Sequence, residues 1–120
     1  MNKEEFVQLM FKIGAGTIDS VVEKLEKPTG RQPYESAVRR SKWYVDLNDE
    51  NKAMIREVIR VSVQVTMMSV LCEFDGVGEV AGDPEDGILE IRYKESGREI
   101  LITDPEQEEL HGLYRSMIEW

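Results

Sequence analysis

Apolar positions between residues 49 and 74 fit two different periods. From Ile59 to Met67 they alternate with polar positions, which is typical of a strand. Over the whole stretch they also recur in steps of four and three, which is typical of a helix. At about 100° per residue, these steps form two stripes on nearly opposite helix faces. The first stripe contains Met54, Val58, Val61, Val65, Met68 and Cys72, and the second contains Ile55, Ile59, Val63, Met67, Val70 and Phe74.

The residues around this stretch favour the helix. No glycine or proline interrupts residues 49–74. Asn48 or Asp49 can cap the start, and acidic residues in a first turn suit the helix dipole. Asp75 followed by Gly76 is a stop signal. We therefore predict one helix over residues 49–74.

Charge is distributed unevenly along this predicted helix. No residue from 61 to 72 is charged, whereas the first half contains several charged side chains. The second half is therefore expected to be covered on almost every side by other elements, with Met67, Met68 and Cys72 buried.

Two further helices are predicted before it. Residues 3–26 carry an amphipathic pattern, and Asn2 with Glu5 resembles a capping box. Gly14 and Gly16 interrupt that pattern. They indicate close packing rather than a phosphate loop, which needs a preceding strand and a lysine. Pro33 is expected to open a short helix over residues 34–42, after which Trp43, Val45 and Leu47 are expected to pack under the start of the helix 49–74.

The last third of the chain has a strand signal followed by a helix signal. Apolar and polar residues alternate over 88–94, a turn follows at 95–97, and apolar residues return over 98–103. This pattern predicts an antiparallel hairpin. Residues 77–81 are a candidate third, edge strand. Asp104, Pro105 and Gln107 match a helix start, which predicts a C-terminal helix over 105–119.

These elements predict an α+β fold. A long buried central helix is expected to pack against other helices and a two- or three-stranded antiparallel meander or hairpin. The length of 120 residues suits a single domain over 1–120.

The charge balance narrows the class of partner. The chain has 15 basic and 24 acidic residues, which gives a net charge of −9. Such a surface disfavours nucleic acid and anionic membranes, which attract positive charge, and it permits a basic protein partner. A single cysteine, Cys72, excludes an internal disulfide and suits a reducing cytoplasm. The N-terminal residues do not resemble a signal peptide, and no cofactor is indicated.

Two clusters of charge are candidate binding sites. The only basic cluster contains Arg31, Arg39, Arg40 and Lys42, with Trp43 beside it. Basic and aromatic side chains together can bind an anion or a nucleic-acid strand, although such a patch on an acidic protein also pairs with its own carboxylates. The acidic loop after Gly76 contains the candidate metal ligands Asp83, Glu85 and Asp86. Their spacing does not match an EF-hand, so a solvated turn is favoured.

His111, the only histidine, is the candidate catalytic residue. Glu108 and Arg115 lie within reach along the predicted helix and would orient it as a general base requires. No serine or cysteine is recognisably placed for activation by it, so a solvated surface histidine is the competing interpretation. The sequence therefore favours a protein without enzymatic activity over an enzyme.

Two stretches together resemble a known family. One runs from Trp43 through the predicted central helix to Val77, and the other joins Asp104-Pro105 to residues 110–114. They are similar to a family of short, single-domain bacterial proteins of unknown function. That family often has an acid after the Leu-His pair, where this chain has Gly112. The resemblance implies a bacterial, cytoplasmic origin and transfers no site residues.

The sequence leads to one functional hypothesis and two alternatives. The leading hypothesis is a non-enzymatic protein-interaction module, similar to small acidic immunity or inhibitor proteins, that meets a basic partner. The first alternative is a small-ligand-binding domain or enzyme that uses His111 with nearby carboxylates. The second is a homo-oligomer formed through apolar surface.

Overall fold

The computed structural model describes residues 1–78, 85 and 87–120. These residues form helix α1 (Lys3–Glu26), α2 (Glu35–Val45), α3 (Asp49–Phe74), strands β1 (Arg92–Glu95) and β2 (Arg98–Leu101), and helix α4 (Leu110–Arg115). The predicted α+β class is confirmed, with a long helix that packs against other helices and a two-stranded antiparallel hairpin. Val77 and Gly78 of the predicted edge strand are not in a strand, and residues 79–81 lie outside the described part.

The described residues divide into two compact units. The first combines Met1–Ile13 with Gln64–Trp120, and the second is Gly14–Val63. Helices α1 and α3 are each divided between the two units. The single-domain organisation stays a prediction.

Both long helices begin at the caps that their sequences predict. Oδ1 of Asn2 accepts a 2.9 Å hydrogen bond from the backbone N–H of Glu5, and the Glu5 carboxylate accepts one of 3.1 Å from the Asn2 backbone N–H. This reciprocal pair is the capping box of α1. Oδ1 of Asn48 accepts a 2.8 Å hydrogen bond from the N–H of Asn51 and caps α3.

Helix α1 continues through both of its glycines. The proposal of close packing is wrong for Gly16, because a Cβ atom there would meet no other atom within 4 Å. The glycines also lie inside a helix, where the backbone N–H groups are used by helical hydrogen bonds, so they do not form a phosphate loop.

Helix α3 ends in a Schellman motif. The N–H of Val77 donates to the carbonyl of Cys72 at 3.0 Å, and the N–H of Gly76 donates to that of Glu73 at 3.1 Å. Gly76 has a φ of 77°, which glycine adopts at little cost. This places Asp75 as the last residue before the chain reverses, where it is held by the geometry of the motif.

The core of the first unit brings together distant parts of the chain. It is formed by Val7, Leu71, Ile102, Leu110 and Tyr114, each no more than 1% exposed. Burying such side chains stabilises the fold by about 1.5–3 kcal/mol each before entropy is subtracted. Ile91, Tyr93 and Ile100 of the hairpin region pack against this cluster. The core therefore covers the apolar face of the hairpin, as its amphipathic pattern requires.

The hairpin is shorter than predicted. Tyr93 pairs with Ile100, and the two-residue turn contains Gly97 with a φ of 76°. The predicted start at residue 88 is wrong, because Ile88 and Leu89 are 74% and 52% exposed and lie outside the strands. Beyond the strands, the N–H of Ile102 still donates to the carbonyl of Ile91 at 2.8 Å.

The predicted C-terminal helix over 105–119 is also too long. Helix α4 covers only Leu110–Arg115, and residues 104–107 form a turn in which Oδ1 of Asp104 accepts a 3.0 Å hydrogen bond from the N–H of Glu106. Lys3 accounts for this difference. Its ammonium group donates 2.8 Å hydrogen bonds to the carbonyls of Asp104 and Glu108, and the residue is 6% exposed. These tertiary bonds outweigh the local preference for a helix.

The expectation that the second half of α3 is covered on every side is wrong. Only Gln64 and Leu71 are buried on this helix, and Val65 and Val70 are 45% and 40% exposed. Met67, Met68 and Cys72 are partly rather than fully buried. In the first unit, the core therefore uses one side of α3, centred on Leu71.

The second unit buries an aromatic residue that follows the basic cluster in the sequence. Tyr44 is 4% exposed, and the ammonium group of Lys52 lies 5.6 Å from the centre of its ring, a cation–π distance. Its neighbours Trp43 and Val45, expected to be covered, are instead 56% and 47% exposed. A rotation of about 100° per residue separates adjacent helical side chains, so Tyr44 can be buried only if Trp43 and Val45 diverge from it.

Candidate functional site

A group of hydrogen-bonded polar side chains in the first unit centres on Asp75. Its Oδ1 accepts a 2.9 Å hydrogen bond from the backbone N–H of Leu110, and its Oδ2 accepts one of 2.9 Å from the N–H of His111. The Asp75 side chain is 4% exposed. Because the first N–H groups of a helix have no helical partner, Asp75 caps α4 from 35 residues away in the sequence.

The same carboxylate orients the imidazole of His111. Nδ1 of His111 lies 2.6 Å from Oδ2 of Asp75 and 3.2 Å from Oε2 of Glu109. An ionised carboxylate only accepts hydrogen bonds, so Nδ1 carries the proton. The expected partners Glu108 and Arg115 are therefore wrong, because the turn before α4 brings Glu109 and Asp75 to the ring instead.

The chemistry of this cluster resembles half of an acid–base site. A histidine held through Nδ1 by a buried carboxylate has a fixed tautomer, and its Nε2 can accept a proton. Such a base needs a nucleophile to activate. The nearest thiol is unsuited to this, because burial raises the pKa of Cys72. The negative charges of Asp75 and Glu109 raise the pKa of this thiol further, which keeps it protonated.

Asp75, Glu109 and His111 also have the chemistry of metal ligands. Each offers one ligand atom, and the three atoms lie within 4.8 Å of one another. A carboxylate and imidazole set suits a divalent transition metal. Asp75, however, already accepts two backbone N–H groups and one imidazole N–H. The cap of α4 thus explains this arrangement without a metal.

The second unit contains a groove with a different character. It has a volume of about 440 Å³ and is lined only by residues from the end of α1, the following loop and the start of α2. Of the predicted basic cluster, Arg40 lines this groove and Arg31, Arg39 and Lys42 do not. All four side chains are exposed, and none has an ion pair within the described part of the chain. The expected pairing with the protein's own carboxylates is therefore not found among these residues.

The other predicted site residues are Trp43 and the three carboxylates of the acidic loop. Trp43 is 56% exposed and does not line the groove. Glu85 is exposed, while Asp83 and Asp86 lie outside the described residues, so the acidic-loop metal site stays untested.

Asp75, Glu109 and Lys24 are residues of these sites that the sequence does not indicate as such. The sequence places Asp75 in a helix stop and at the edge of the acidic loop, and it does not distinguish Glu109 or Lys24. The stop signal at Asp75-Gly76 was correct, but its carboxylate acts on α4, and nothing in the local sequence indicates that partner. The position of Lys24 does indicate a link to the basic cluster, since it lies one helical turn before the loop that leads to that cluster.

Comparison of the chain with protein-family models, curated proteins and solved structures finds no significant match. Among the described residues, no helix is both long and apolar enough to cross a bilayer. The resemblance to a bacterial family stays a prediction, and the function is argued from the two units themselves.

Proposed function

We propose that this protein is a non-enzymatic interaction module that binds a basic protein partner through the first half of α3. The observation that carries the proposal is the exposure of Met54 and Val58, which are 56% and 54% exposed. These side chains lie one turn apart on one face of α3. We call this pair the α3 apolar face.

The α3 apolar face differs from scattered surface residues in its surroundings. Glu50 lies one turn before Met54, and Glu57 lies three residues after it, so both carboxylates border the pair. Glu57 is 4.0 Å from the guanidinium of Arg60, whereas Glu50 has no ion pair within the described part of the chain. Apolar residues bordered by charge are typical of protein-binding surfaces.

Charge selects the kind of partner. The chain has a net charge of −9, so a partner with positive charge around an apolar centre would complement this face and associate faster at low salt. Small acidic immunity and inhibitor proteins act in this way against basic toxins. A bacterial, cytoplasmic setting, implied by the resemblance, is part of the same proposal.

The experiment compares binding by three versions of the protein. Wild type, a Met54→Asp/Val58→Asp variant and an Ile88→Asp control are immobilised, and bound proteins are identified at low and physiological salt. Ile88 is 74% exposed and lies far along the chain, so it controls for the loss of an exposed apolar side chain. The expected result is a basic protein that wild type and the control retain and the double variant loses.

Three outcomes would count against the proposal. One is that no bound protein needs Met54 and Val58 for its binding at either salt concentration. Another is that the dependent protein is acidic. The third is that light scattering shows a dimer that the double variant abolishes, which would assign the face to a second copy of this chain. As an independent check, any basic, toxin-sized protein that a neighbouring gene encodes would be purified and titrated against this protein.

The alternative, a ligand-binding domain or enzyme that uses His111, is favoured by the 2.6 Å contact between His111 and Asp75. It predicts that some small molecules shift the imidazole resonances of His111 in an NMR screen of fragment mixtures. An imidazole that stays unshifted across the screen would leave capping of α4 as the role of this pair.

A further inference from the structure

The groove in the second unit has the size of a small-molecule site. Its volume of about 440 Å³ falls within the range of roughly 300–1,000 Å³ that holds small organic ligands. Its lining comes from residues 21–40, a single helix–loop–helix segment inside one compact unit. The groove therefore lies within the second unit.

Most of the groove lining is apolar. Val21 and Leu25 contribute from α1, Pro33 and Tyr34 from the loop, and Ala37 from α2. Tyr34 is the N-cap residue of α2, makes no side-chain capping bond and is 85% exposed. An exposed aromatic ring at the edge of a groove can pack against the flat or aliphatic body of a ligand.

The charged side chains of the groove have one sign. Among the described residues, Lys24 and Arg40 line it, and no aspartate or glutamate does. Within the described part of the chain, neither cation has an ion pair. The range that lines the groove, residues 21–40, contains five basic and three acidic side chains, in a protein whose net charge is −9. The groove thus lies in a part of the chain that is more basic than the whole.

We propose that this groove binds a small organic anion with an apolar body, such as an aromatic or aliphatic carboxylate or sulfonate. The apolar lining would remove the body of the ligand from water, and Lys24 and Arg40 would pair with its charge. Thr29 and Gln32 supply neutral hydrogen-bonding groups in the same lining. This ligand site is separate from the proposed contact with a basic protein, because that contact uses acidic residues of α3.

The test uses two fluorescent probes that differ in charge. Anilinonaphthalene sulfonate is an aromatic anion, and N-phenyl-1-naphthylamine has nearly the same body without charge. Wild type is expected to bind the anion more tightly than the neutral probe. In a Lys24→Ala/Arg40→Ala variant, the affinity for the anion is expected to fall about tenfold, since two partly exposed charge pairs are worth up to about 1 kcal/mol each. The affinity for the neutral probe should stay the same.

Two further variants separate the groove from general surface charge. Arg39→Ala/Lys42→Ala removes two exposed basic residues from the same cluster that do not line the groove, so it should change the affinity for the anion by less than about twofold. Ala37→Trp should fill the groove and weaken the binding of both probes. Circular dichroism establishes that each variant is folded, and NMR shifts on adding the anion should map to residues 21–40.

Several results would overturn the proposal. The first is a dissociation constant of wild type for the anion above about 1 mM. The second is an equal loss of affinity for the anion in the two double variants. The third is that the NMR shifts on adding the anion map outside residues 21–40. Saturable binding of an acidic peptide, without competition by the sulfonate probe, would assign the groove to a polypeptide instead and would equally overturn it.

Discussion

Asp75 follows the last residue of α3, and its side chain both caps α4 and holds His111. It is the last residue before the Schellman turn of α3, and its two carboxylate oxygens accept the N–H groups of Leu110 and His111 while Oδ2 lies 2.6 Å from Nδ1 of His111. A carboxylate at the C-terminal end of α3 is unfavourable to that helix dipole, but it is favourable at the N-terminus of α4. This one residue therefore connects two elements that are 35 positions apart in sequence.

Replacing Asp75 should show how much this connection contributes. Asp75→Ala removes the cap and leaves buried N–H groups unpaired, so the free energy of unfolding should fall by about 2–4 kcal/mol in urea titrations. Asp46→Ala is a matched control, because Asp46 follows α2 in the same way but its side chain is exposed. The control should change stability by less than about 0.5 kcal/mol. Equal losses in both variants would contradict the capping role.

Lys3 should contribute in a similar way from α1. Lys3→Met keeps the apolar stem but removes the ammonium donor from the carbonyls of Asp104 and Glu108, which should cost about 1–3 kcal/mol. Amide hydrogen exchange should also become faster over residues 104–109. Lys12→Met changes an exposed lysine on the same helix and should leave both measurements unaltered. Unchanged exchange in Lys3→Met would show that the turn does not depend on Lys3.

Gly16 offers a stabilising substitution. Because a Cβ atom there meets nothing within 4 Å, Gly16→Ala should raise the free energy of unfolding by about 1 kcal/mol through the higher helix propensity of alanine. Gly97→Ala is the opposite case, since its φ of 76° is costly for alanine, and it should lower the free energy of unfolding by about 1–2 kcal/mol. Thermal or urea unfolding distinguishes the two, and destabilisation by Gly16→Ala would mean that the site has a packing role.

The reactivity of Cys72 should reflect its surroundings. Burial and the charges of Asp75 and Glu109 raise the pKa of its thiol, so less thiolate is present at neutral pH and alkylation by iodoacetamide should be slower than for an exposed cysteine peptide. Glu109→Gln removes one of these charges and should accelerate the reaction. Glu106→Gln is an exposed control on the same turn that is expected to have no effect. Alkylation of wild type at the rate of the free peptide would contradict this account.

Tyr114 should make the fold sensitive to alkaline pH. Burial raises the pKa of its phenol above the ordinary value of 10.0, so the unfolded chain loses this proton at lower pH than the folded one. The folded state then holds more protons, and stability falls as pH rises from about 10 through the folded pKa. Tyr114→Phe removes this contribution. Its free energy of unfolding should decline less steeply over that range, and parallel declines would exclude Tyr114 as the cause.

The sequence by itself determined the features that depend on near neighbours. The capping box of Asn2 and Glu5, the cap at Asn48 and the stop at Gly76 involve residues within a few positions, so α1 and α3 begin and end where their patterns predict. The hairpin turn at Gly97 belongs to the same class, because it needs a positive φ at a position where the chain has glycine, which adopts it at little cost.

The tertiary structure decided features whose causes lie far apart in sequence. The helix signal at Asp104 and Pro105 was locally sound, yet the Lys3 ammonium group donates to the carbonyls of Asp104 and Glu108 from a distant part of the chain, and Asp75 caps a later start at Leu110. The apolar stripe containing Met54 and Val58 predicts an amphipathic helix whether or not another element covers it. Periodicity fixes which side chains share a face, whereas only packing determines which face meets the core and which remains available to a partner.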